Sequence, residues 1–453
     1  MTTPKSNKKV LNLFDVSMMT VAGVFGMRWI PVAAGLGPSS LLFWLVGAIC
    51  FFIPLSIIVI QFSKIHSKDG GIYLWSANAL GEKHGFIVAW CYWVTNLFSY
   101  PAILIFLSTS FAYFLGKPEY ANSHLYTTIT VICFFWLIVL INLYGLKIFK
   151  YFSAFGSVFG VLLPAISLLV LATIAYLKFG SATSFSPENF IPNGSIYSNL
   201  SSLTILMFAM AGVEVIPTLA ESIKDSGRTL YISVIFSAIL IFALYSLSSI
   251  AMNIVASPDV VQKSSGLVET FRIIGTKLSI PSYTRICSLL FVIGEIVALS
   301  VWLIAPAVMF FKCTPKGVLP KALHKVNSRG TPVNALIFQG ILISIIIIAT
   351  NFLDKVNSMY EVLVLASSIT FFVPYIYLAI AYIKSLELIK VNKILGILCG
   401  GIVIISILLG IGFSFIPSPD LKSTHERIIF FTELGVGSFV SIYIGFIIYK
   451  FKK

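Results

Sequence analysis

The sequence is dominated by apolar stretches of about 20 residues that recur along its whole length of 453 residues. Each stretch is long enough to cross the roughly 30 Å of hydrocarbon in a bilayer. Because no water is available there, the backbone must satisfy its own hydrogen bonds, and such stretches fold as membrane-spanning helices. Charged residues make up 11% of the chain and hydrophobic residues 58%, which excludes a large soluble protein. The sequence therefore predicts an all-α polytopic membrane protein.

The apolar stretches predict twelve transmembrane helices with short connections and no soluble domain. Their approximate bounds are 13–36, 40–62, 86–115, 124–145, 151–178, 201–221, 229–256, 284–312, 333–352, 359–383, 394–416 and 427–449.

The basic residues are distributed unevenly between the two sides of the membrane. The connections on the side of the N-terminus hold 21 Lys and Arg residues, and those on the other side hold 9. Since such residues are retained on the cytoplasmic side, we expect both termini to be cytoplasmic. The net charge of +14 then reflects topology and some attraction to anionic membrane lipids, and no nucleic acid is expected as a partner.

Catalytic and cofactor motifs are absent from the sequence. It contains no P-loop, no Gly-x-Ser-x-Gly and no His cluster with metal-ligand spacing, and its six cysteines are scattered singly. We therefore expect neither an enzyme nor a bound metal or cofactor. The first residues do not form a signal peptide, and the first span can itself direct membrane insertion.

Two of the predicted spans, the first and the sixth, are interrupted in the same way. Each interruption places glycine and one charge where a bilayer is driest, and such paired breaks are the best sequence indication of a transporter's substrate site. The residues concerned are Gly23, Val24, Gly26, Arg28, Ala211, Gly212 and Glu214.

Unwound backbone persists in a membrane only where it is buried in protein or lines a wet cavity. Free amides at the first break could bind a carboxylate, although close helix packing is the alternative role of these glycines. Arg28 could clamp a substrate carboxylate, form a gate or structural salt bridge, or extend to the outer headgroups. Glu214 could meet a substrate amino group or carry a coupling proton, or be a protonated residue bonded to a neighbouring helix.

Further candidates lie in the second half of the chain. Glu295 in span 8 and Glu361 at the start of span 10 could meet a substrate amino group or carry the coupling proton, and Glu221 at the end of span 6 could belong to a gate or a surface network. Phe371 and Tyr375 are four residues apart and share a helix face. Their rings could cap a ligand or stack on its cationic end, although packing is the commoner role of such a pair.

The twelve spans divide into groups of five, five and two, with a polar stretch over 180–199 between the first two groups. An odd number of spans inverts the second group relative to the first, which predicts an inverted repeat. We assign residues 1–12 to a cytoplasmic tail, 13–179 to repeat 1, 201–383 to repeat 2 and 394–450 to helices 11 and 12.

A series of short motifs runs through all the predicted spans. They are Ser17-Met-Met, Arg28-Trp-Ile-Pro31, Phe51-Phe-Ile-Pro54, Asp69-Gly-Gly-Ile-Tyr-Leu-Trp75 with Leu80-Gly81, Ala211-Gly-Val-Glu214, Ser265-Gly-Leu-Val-Glu-Thr-Phe271, Trp302-Leu-Ile-Ala-Pro306 and Gly330-Thr-Pro-Val333. In this order they resemble the amino acid–polyamine–organocation (APC) superfamily of transporters, and within it the glutamate:γ-aminobutyrate antiporter family.

The resemblance implies the five-plus-five inverted-repeat fold, called LeuT- or APC-like, with discontinuous helices 1 and 6. It also implies exchange of an amino acid for its decarboxylated amine or for another amino acid. By position, the ligand region would include the helix 1 break, Glu214, Phe371 and Tyr375. Phe371 stands where the family has a tyrosine, and Glu295 lies about three residues from the family's helix 8 glutamate.

The sequence ends at Lys453, directly after the last span, whereas the acid-gated exchanger that it resembles has a long C-terminal plug. We therefore expect pH sensing either within the membrane, for example through Glu214, or not at all.

These patterns predict a secondary active amino acid transporter of the inner membrane that works by alternating access. It would be an antiporter or a proton-coupled symporter, and a monomer or homodimer. One alternative is a polyamine or organic cation carrier of the same fold, although a substrate without a carboxylate would leave Arg28 without a ligand. The other alternative is a transporter-like nutrient sensor. The lack of a signalling domain argues against it.

Overall fold

The computed structural model describes residues 12–65, 71–143, 156, 158–192, 199–214, 226–314, 317–325, 333–349, 356–417 and 423–451. These residues form helices and connections, with no β-strand among them. The α-helices of the first part are α1 Leu13–Val24, α2 Ile30–Ala34, α3 Ser40–Gly47, α4 Ile53–Ile65, α5 Gly71–Leu80, α6 Glu82–Phe114, α7 His124–Leu143 and α8 Leu163–Phe179. Those of the second part are α9 Leu200–Ala209, α10 Ser226–Val255, α11 Pro258–Val261, α12 Gly266–Lys277, α13 Tyr283–Cys313, α14 Val333–Ala349, α15 Val356–Lys384, α16 Leu386–Ile389, α17 Lys393–Ser414, α18 Thr424–Gly435 and α19 Ser441–Lys450.

Nine helices in the described part of the chain are long and apolar enough to cross a membrane. They correspond to predicted spans 2–5, 7, 8 and 10–12. The other three predicted spans correspond to the broken helix α1–α2 and to the shorter apolar helices α9 and α14. Large apolar side chains such as Leu125, Leu177 and Ile394 are at least 70% exposed, as expected of surfaces that face lipid. The structure thus confirms an all-α, multi-pass membrane protein.

The helix α6 lies at the centre of the bundle, where it packs mainly against α13 and α15. In the most apolar 18-residue stretch of α6, 78% of the residues are buried, and the same share is buried in the span Tyr360–Lys384. The spans Lys393–Ser414 and Thr424–Lys450 are only 28% and 22% buried by the same measure. The last two spans therefore lie at the periphery of the described bundle.

The first break follows from glycine and proline in its sequence. The helix α1 ends at Val24, Gly26 is extended with φ −124° and ψ 119°, and a short 3-10 helix at Met27–Trp29 leads into α2. Pro31 lies in the first turn of α2, where its missing N–H costs nothing. The interruption is shorter than predicted, because the N–H of Phe25 still donates to the carbonyl of Val21 at 2.8 Å and Gly23 remains helical.

The second break depends on Gly212. The helix α9 ends at Ala209, and Gly212 has φ +118°, a conformation that side-chain-bearing residues rarely adopt. The chain is described as far as Glu214, so the remainder of predicted span 6 lies outside the described residues.

Candidate functional site

The two helix breaks lie against one cavity of about 60 Å³. The cavity is large enough for a few water molecules. Its walls come from the broken first helix, α6, the broken sixth helix, α13 and α15. The lining residues are Val24, Arg28, Trp29, Thr95, Asn96, Ser99, Ile103, Phe208, Ala209, Ala211, Trp302 and Phe371.

The hydroxyl of Tyr245 joins the two breaks. It accepts a hydrogen bond from the N–H of Gly26 and lies within donating distance of the carbonyls of Val24 and Ala209, at 3.0 Å in each case. Backbone groups that leave a helix inside a membrane need such partners. Tyr245 on α10 therefore satisfies parts of both unwound segments with one side chain, although it was not among the predicted site residues.

Tyr245 is fixed by its neighbours. Its ring stacks on Trp44 with centroids 4.3 Å apart and planes at 13°, and it contacts Phe25 at 4.8 Å. The indole N–H of Trp44 donates to the hydroxyl of Ser249 at 3.1 Å, one turn further along α10. The phenol is completely buried, so packing holds its hydroxyl between the two broken helices.

Arg28 lies in the cavity wall and is incompletely bonded. Its Nη1 is 3.5 Å from Oε2 of Glu295 on α13, and its guanidinium lies 4.6 Å from the centroid of the Trp29 ring. Its Nε is buried without a hydrogen-bond partner. The backbone carbonyl of Arg28 accepts a hydrogen bond from the hydroxyl of Tyr360 at 3.3 Å. The structure thus pairs two residues that the sequence suggested separately.

Glu214 is almost fully buried and is surrounded by hydrogen-bond donors. Its Oε2 accepts from the hydroxyl of Tyr375 at 2.7 Å and from the N–H of Gly212 at 3.2 Å. Its Oε1 accepts from the hydroxyl of Tyr92 at 3.2 Å. The N–H of Gly212 also lies 3.1 Å from the hydroxyl oxygen of Tyr375. The carboxylate therefore connects the sixth-helix break to α6 and α15.

Phe371 separates this hydrogen-bonded group from the cavity. Its ring lines the cavity and contacts Tyr92 at 5.0 Å and Tyr375 at 5.1 Å. It also contacts Phe208 at 5.5 Å, and Phe208 contacts Trp29 at 5.4 Å. Glu214 itself does not line the cavity. An aromatic layer therefore lies between the cavity and the Glu214 carboxylate.

Polar side chains on α6 face the cavity and were missed by the sequence analysis. Thr95 donates to the carbonyl of Cys91 at 2.8 Å, with its hydroxyl 3.1 Å from that of Thr370, and Asn96 donates to the carbonyl of Tyr92 at 2.7 Å. Ser99 lies one turn further. Three polar residues within one apolar span were the available sequence signal.

The cavity wall on α13 carries another freed backbone group. Pro306 has no N–H, so the carbonyl of Trp302, four residues earlier, loses its helical partner. The hydroxyl of Tyr100 on α6 donates to that carbonyl. The carbonyl that Pro306 leaves without a helical partner is therefore satisfied by a side chain of a neighbouring helix.

The remaining predicted site residues lie away from the cavity wall or outside the described residues. Gly23 lies in α1, and Glu361 lies partly exposed near the start of α15. Glu221 lies outside the described residues. Within the described ranges, no group of three or more His, Cys, Asp or Glu side chains could hold a metal ion.

Known proteins are similar in sequence to most of this chain. Residues 11–439 match the sequence profile of a family described as amino acid permease. An uncharacterized transporter of Legionella pneumophila is 31% identical over 407 residues, which cover 90% of this chain and 87% of the relative. A glutamate/gamma-aminobutyrate antiporter of Lactococcus lactis is 24% identical over 75% of this chain and 68% of the relative. A "probable agmatine/putrescine antiporter" of the same species is 25% identical over 99% of this chain and 96% of the relative.

Proposed function

Because the chain belongs to the amino acid permease family, it is a membrane transporter and not an enzyme, and we propose that it carries an amino acid across the inner membrane by alternating access. The observation that carries this proposal is the convergence of both broken helices on one cavity, with Tyr245 bonded to each break. Half-helix ends at a central cavity supply oriented backbone groups for a charged ligand.

The proposed ligand contacts follow from the cavity wall. Arg28 would bind a substrate carboxylate, and the carbonyls of Ala209 and Ala211 would accept hydrogen bonds from an amino group. Phe371 would pack on the ligand. The full proposed substrate region is Gly23, Val24, Gly26, Arg28, Ala211, Gly212, Glu214, Phe371 and Tyr375.

We further propose twelve spans in a five-plus-five inverted repeat, with residues 13–179 and 201–383 as the repeats and 394–450 as two added helices. Both termini would be cytoplasmic, and the protein would be a monomer or homodimer among membrane lipids. In this topology, Glu214 with its tyrosines lies on the cytoplasmic side of the cavity, and the Arg28–Glu295 pair lies on the outer side. The two polar groups would close the cavity alternately, with Glu221 at the inner mouth.

Exchange is the proposed mode, because two similar proteins are named as antiporters. The exchanged molecules would be two amino acids, or an amino acid and an amine; proton-coupled symport is the alternative mode. The relative named for agmatine and putrescine supports an organic cation carrier as a second candidate. Arg28 in the cavity wall favours a ligand with a carboxylate over such a cation.

Uptake into proteoliposomes tests the function. Vesicles are loaded with single members of a panel of amino acids and amines or left empty, and uptake of each labelled compound is measured with and without a pH gradient. We expect uptake of at least one amino acid, accelerated by an internal exchange partner. Transport of amines alone would support the cation carrier, and saturable amino acid binding without any transport would support a sensor.

A further inference from the structure

The two buried glutamates beside the cavity are bonded very differently. The Glu214 carboxylate accepts hydrogen bonds from two phenols and one backbone N–H. Among the described residues, Glu295 has one partner, the guanidinium of Arg28, at 3.5 Å. Three donors hold Glu214, whereas Arg28 is the one side chain of the described residues that pairs with Glu295.

Among the described residues, Arg28 has N–H donors left for a second acceptor. A guanidinium carries five N–H donors in a planar fork, but Arg28 makes one long contact with Glu295, and its Nε is buried and unpartnered. The side chain is 15% exposed and lines the cavity. A ligand carboxylate there could form the shorter, two-pronged contact that Glu295 does not form.

We propose that a carboxylate of the substrate replaces Glu295 as the ion-pair partner of Arg28. The Glu295 carboxylate then binds one proton for each substrate molecule bound. This rests on the proposed function, because it concerns the same cavity. A buried carboxylate that loses its cation is strongly destabilised, and it is neutralised by a proton instead.

The exchange balances in atoms and charge. The Arg28–Glu295 ion pair, a substrate carboxylate and one proton from the surrounding solution become an Arg28–substrate ion pair and a neutral Glu295 carboxylic acid. When the substrate leaves on the other side of the membrane, Arg28 returns to Glu295 and the proton is released. Substrate and proton therefore move together.

The surroundings of Glu295 contain no competing charge in the described structure. Arg28 and Tyr360 are the titratable side chains that act on its carboxylate. The phenol of Tyr360 donates to the carbonyl of Arg28, and the phenol of Tyr100 on the adjacent α6 donates to the carbonyl of Trp302. Both hydroxyls are thus engaged elsewhere, and Arg28 controls the charge on Glu295.

Proton uptake on ligand binding tests the proposal in the purified full-length protein. The twenty protein amino acids and γ-aminobutyrate are screened for binding, with putrescine as a probe that lacks a carboxylate. For each ligand that binds, the pH change of a weakly buffered solution is recorded with an indicator dye. We expect about one proton per carboxylate ligand, and by linkage a Kd that rises about tenfold per pH unit where Glu295 is charged in the free protein.

Three variants separate the roles. Glu295→Gln should bind the same ligands at least as tightly, with no proton uptake and no pH dependence of Kd. Arg28→Gln should bind carboxylate ligands at least about tenfold more weakly, again without proton uptake. Glu119→Gln removes an exposed carboxylate on a connection and should behave as wild type.

Clear outcomes would overturn the proposal. Proton uptake that persists in Glu295→Gln, or that disappears in Glu214→Gln instead, would assign the proton elsewhere. If Glu295→Gln does not fold, infrared difference spectra of the wild-type protein decide, because ligand binding must create a protonated-carboxyl band. Absence of that band would refute the exchange. A failure of every amino acid to bind or be transported would refute the proposed function itself.

Discussion

The hydroxyl of Tyr245 lies 3.0 Å from the amide nitrogen of Gly26 and occupies a backbone donor of the first helix break. The same hydroxyl lies 3.0 Å from the carbonyl of Val24 and 3.0 Å from that of Ala209. It carries one proton and can donate to one of these carbonyls at a time. Tyr245 thus links the two broken helices through a hydrogen bond that can change partner when they move.

A Tyr245→Phe variant should transport slowly without losing its substrate. The ring keeps its packing on Trp44 and Phe25, but the N–H of Gly26 and the two carbonyls lose their common partner. Because the hydroxyl does not line the cavity, we expect a maximal exchange rate at least about tenfold lower and a KM changed less than about threefold. Tyr176→Phe, at an exposed tyrosine, is the matched control. A large rise in KM at an unchanged maximal rate would indicate direct ligand contact instead.

The two tyrosines that hold Glu214 should contribute unequally to stability. Tyr375→Phe removes a 2.7 Å bond to the carboxylate and the acceptor near the N–H of Gly212. Tyr92→Phe removes one bond of 3.2 Å. Hydrogen bonds to charged groups contribute about 1.5–3 kcal/mol each, so the free energy of unfolding in detergent should fall further in Tyr375→Phe. The reverse order would contradict this account of the site.

Glu214→Gln tests the same group functionally. The hydroxyls of Tyr92 and Tyr375 donate to the carboxylate, whereas the amide of glutamine would present an N–H₂ donor to one of them. We therefore expect lower stability and slower exchange. Transport assays at several pH values would measure substrate selectivity and pH dependence together with the rate. If both are unchanged, Glu214 has a structural role alone.

A double-mutant cycle should show that Tyr100 compensates for Pro306. In the wild type, Tyr100→Phe leaves the Trp302 carbonyl without a partner, at a cost of about 1–3 kcal/mol. In a Pro306→Ala background, the restored N–H can bond that carbonyl, and the cost of Tyr100→Phe should be smaller. Unfolding free energies of the four proteins measure the coupling. Additive effects would show that the two residues act independently.

A carboxylate outside the membrane spans predicts a pH effect on stability. Burial alone would raise the pKa of Glu269 on α12, but hydrogen bonds from Arg272 at 2.6 and 2.9 Å and from Tyr113 at 2.8 Å lower it below its usual value. Because the folded pKa is the lower one, this stabilisation exists above the unfolded value of about 4.3 and is lost as pH falls through the folded value.

Glu269→Gln should therefore cost stability at neutral pH and little in acid. Since the Arg272 side chain is 48% exposed, we expect a loss of about 1 kcal/mol or less at pH 7. The measurement is the difference in unfolding free energy between wild type and variant at pH 7 and at a pH below the folded pKa of Glu269. A difference that grows in acid would contradict the sign, and Glu119→Gln is the exposed control.

The sequence by itself determined the membrane class, the positions of nine apolar spans among the described residues, and the neighbourhood of the first helix break and of the turn at Gly212. These properties depend on local composition, because an apolar run of sufficient length must be helical in lipid and because Gly212 at φ +118° is a local requirement. The motifs that resemble the transporter family were also identified from the sequence alone.

The tertiary structure alone decided which side chains meet. Arg28 and Glu295 are 267 positions apart, Tyr245 and Gly26 are 219 apart, and Tyr375 and Glu214 are 161 apart. Such partners depend on the rotation and axial position of each helix against its neighbours, and packing of whole surfaces sets both. Hydropathy marks where a helix crosses the membrane but not which face it turns inward. For that reason the sequence suggested Glu214 first, whereas the packed bundle leaves Glu295 dependent on Arg28.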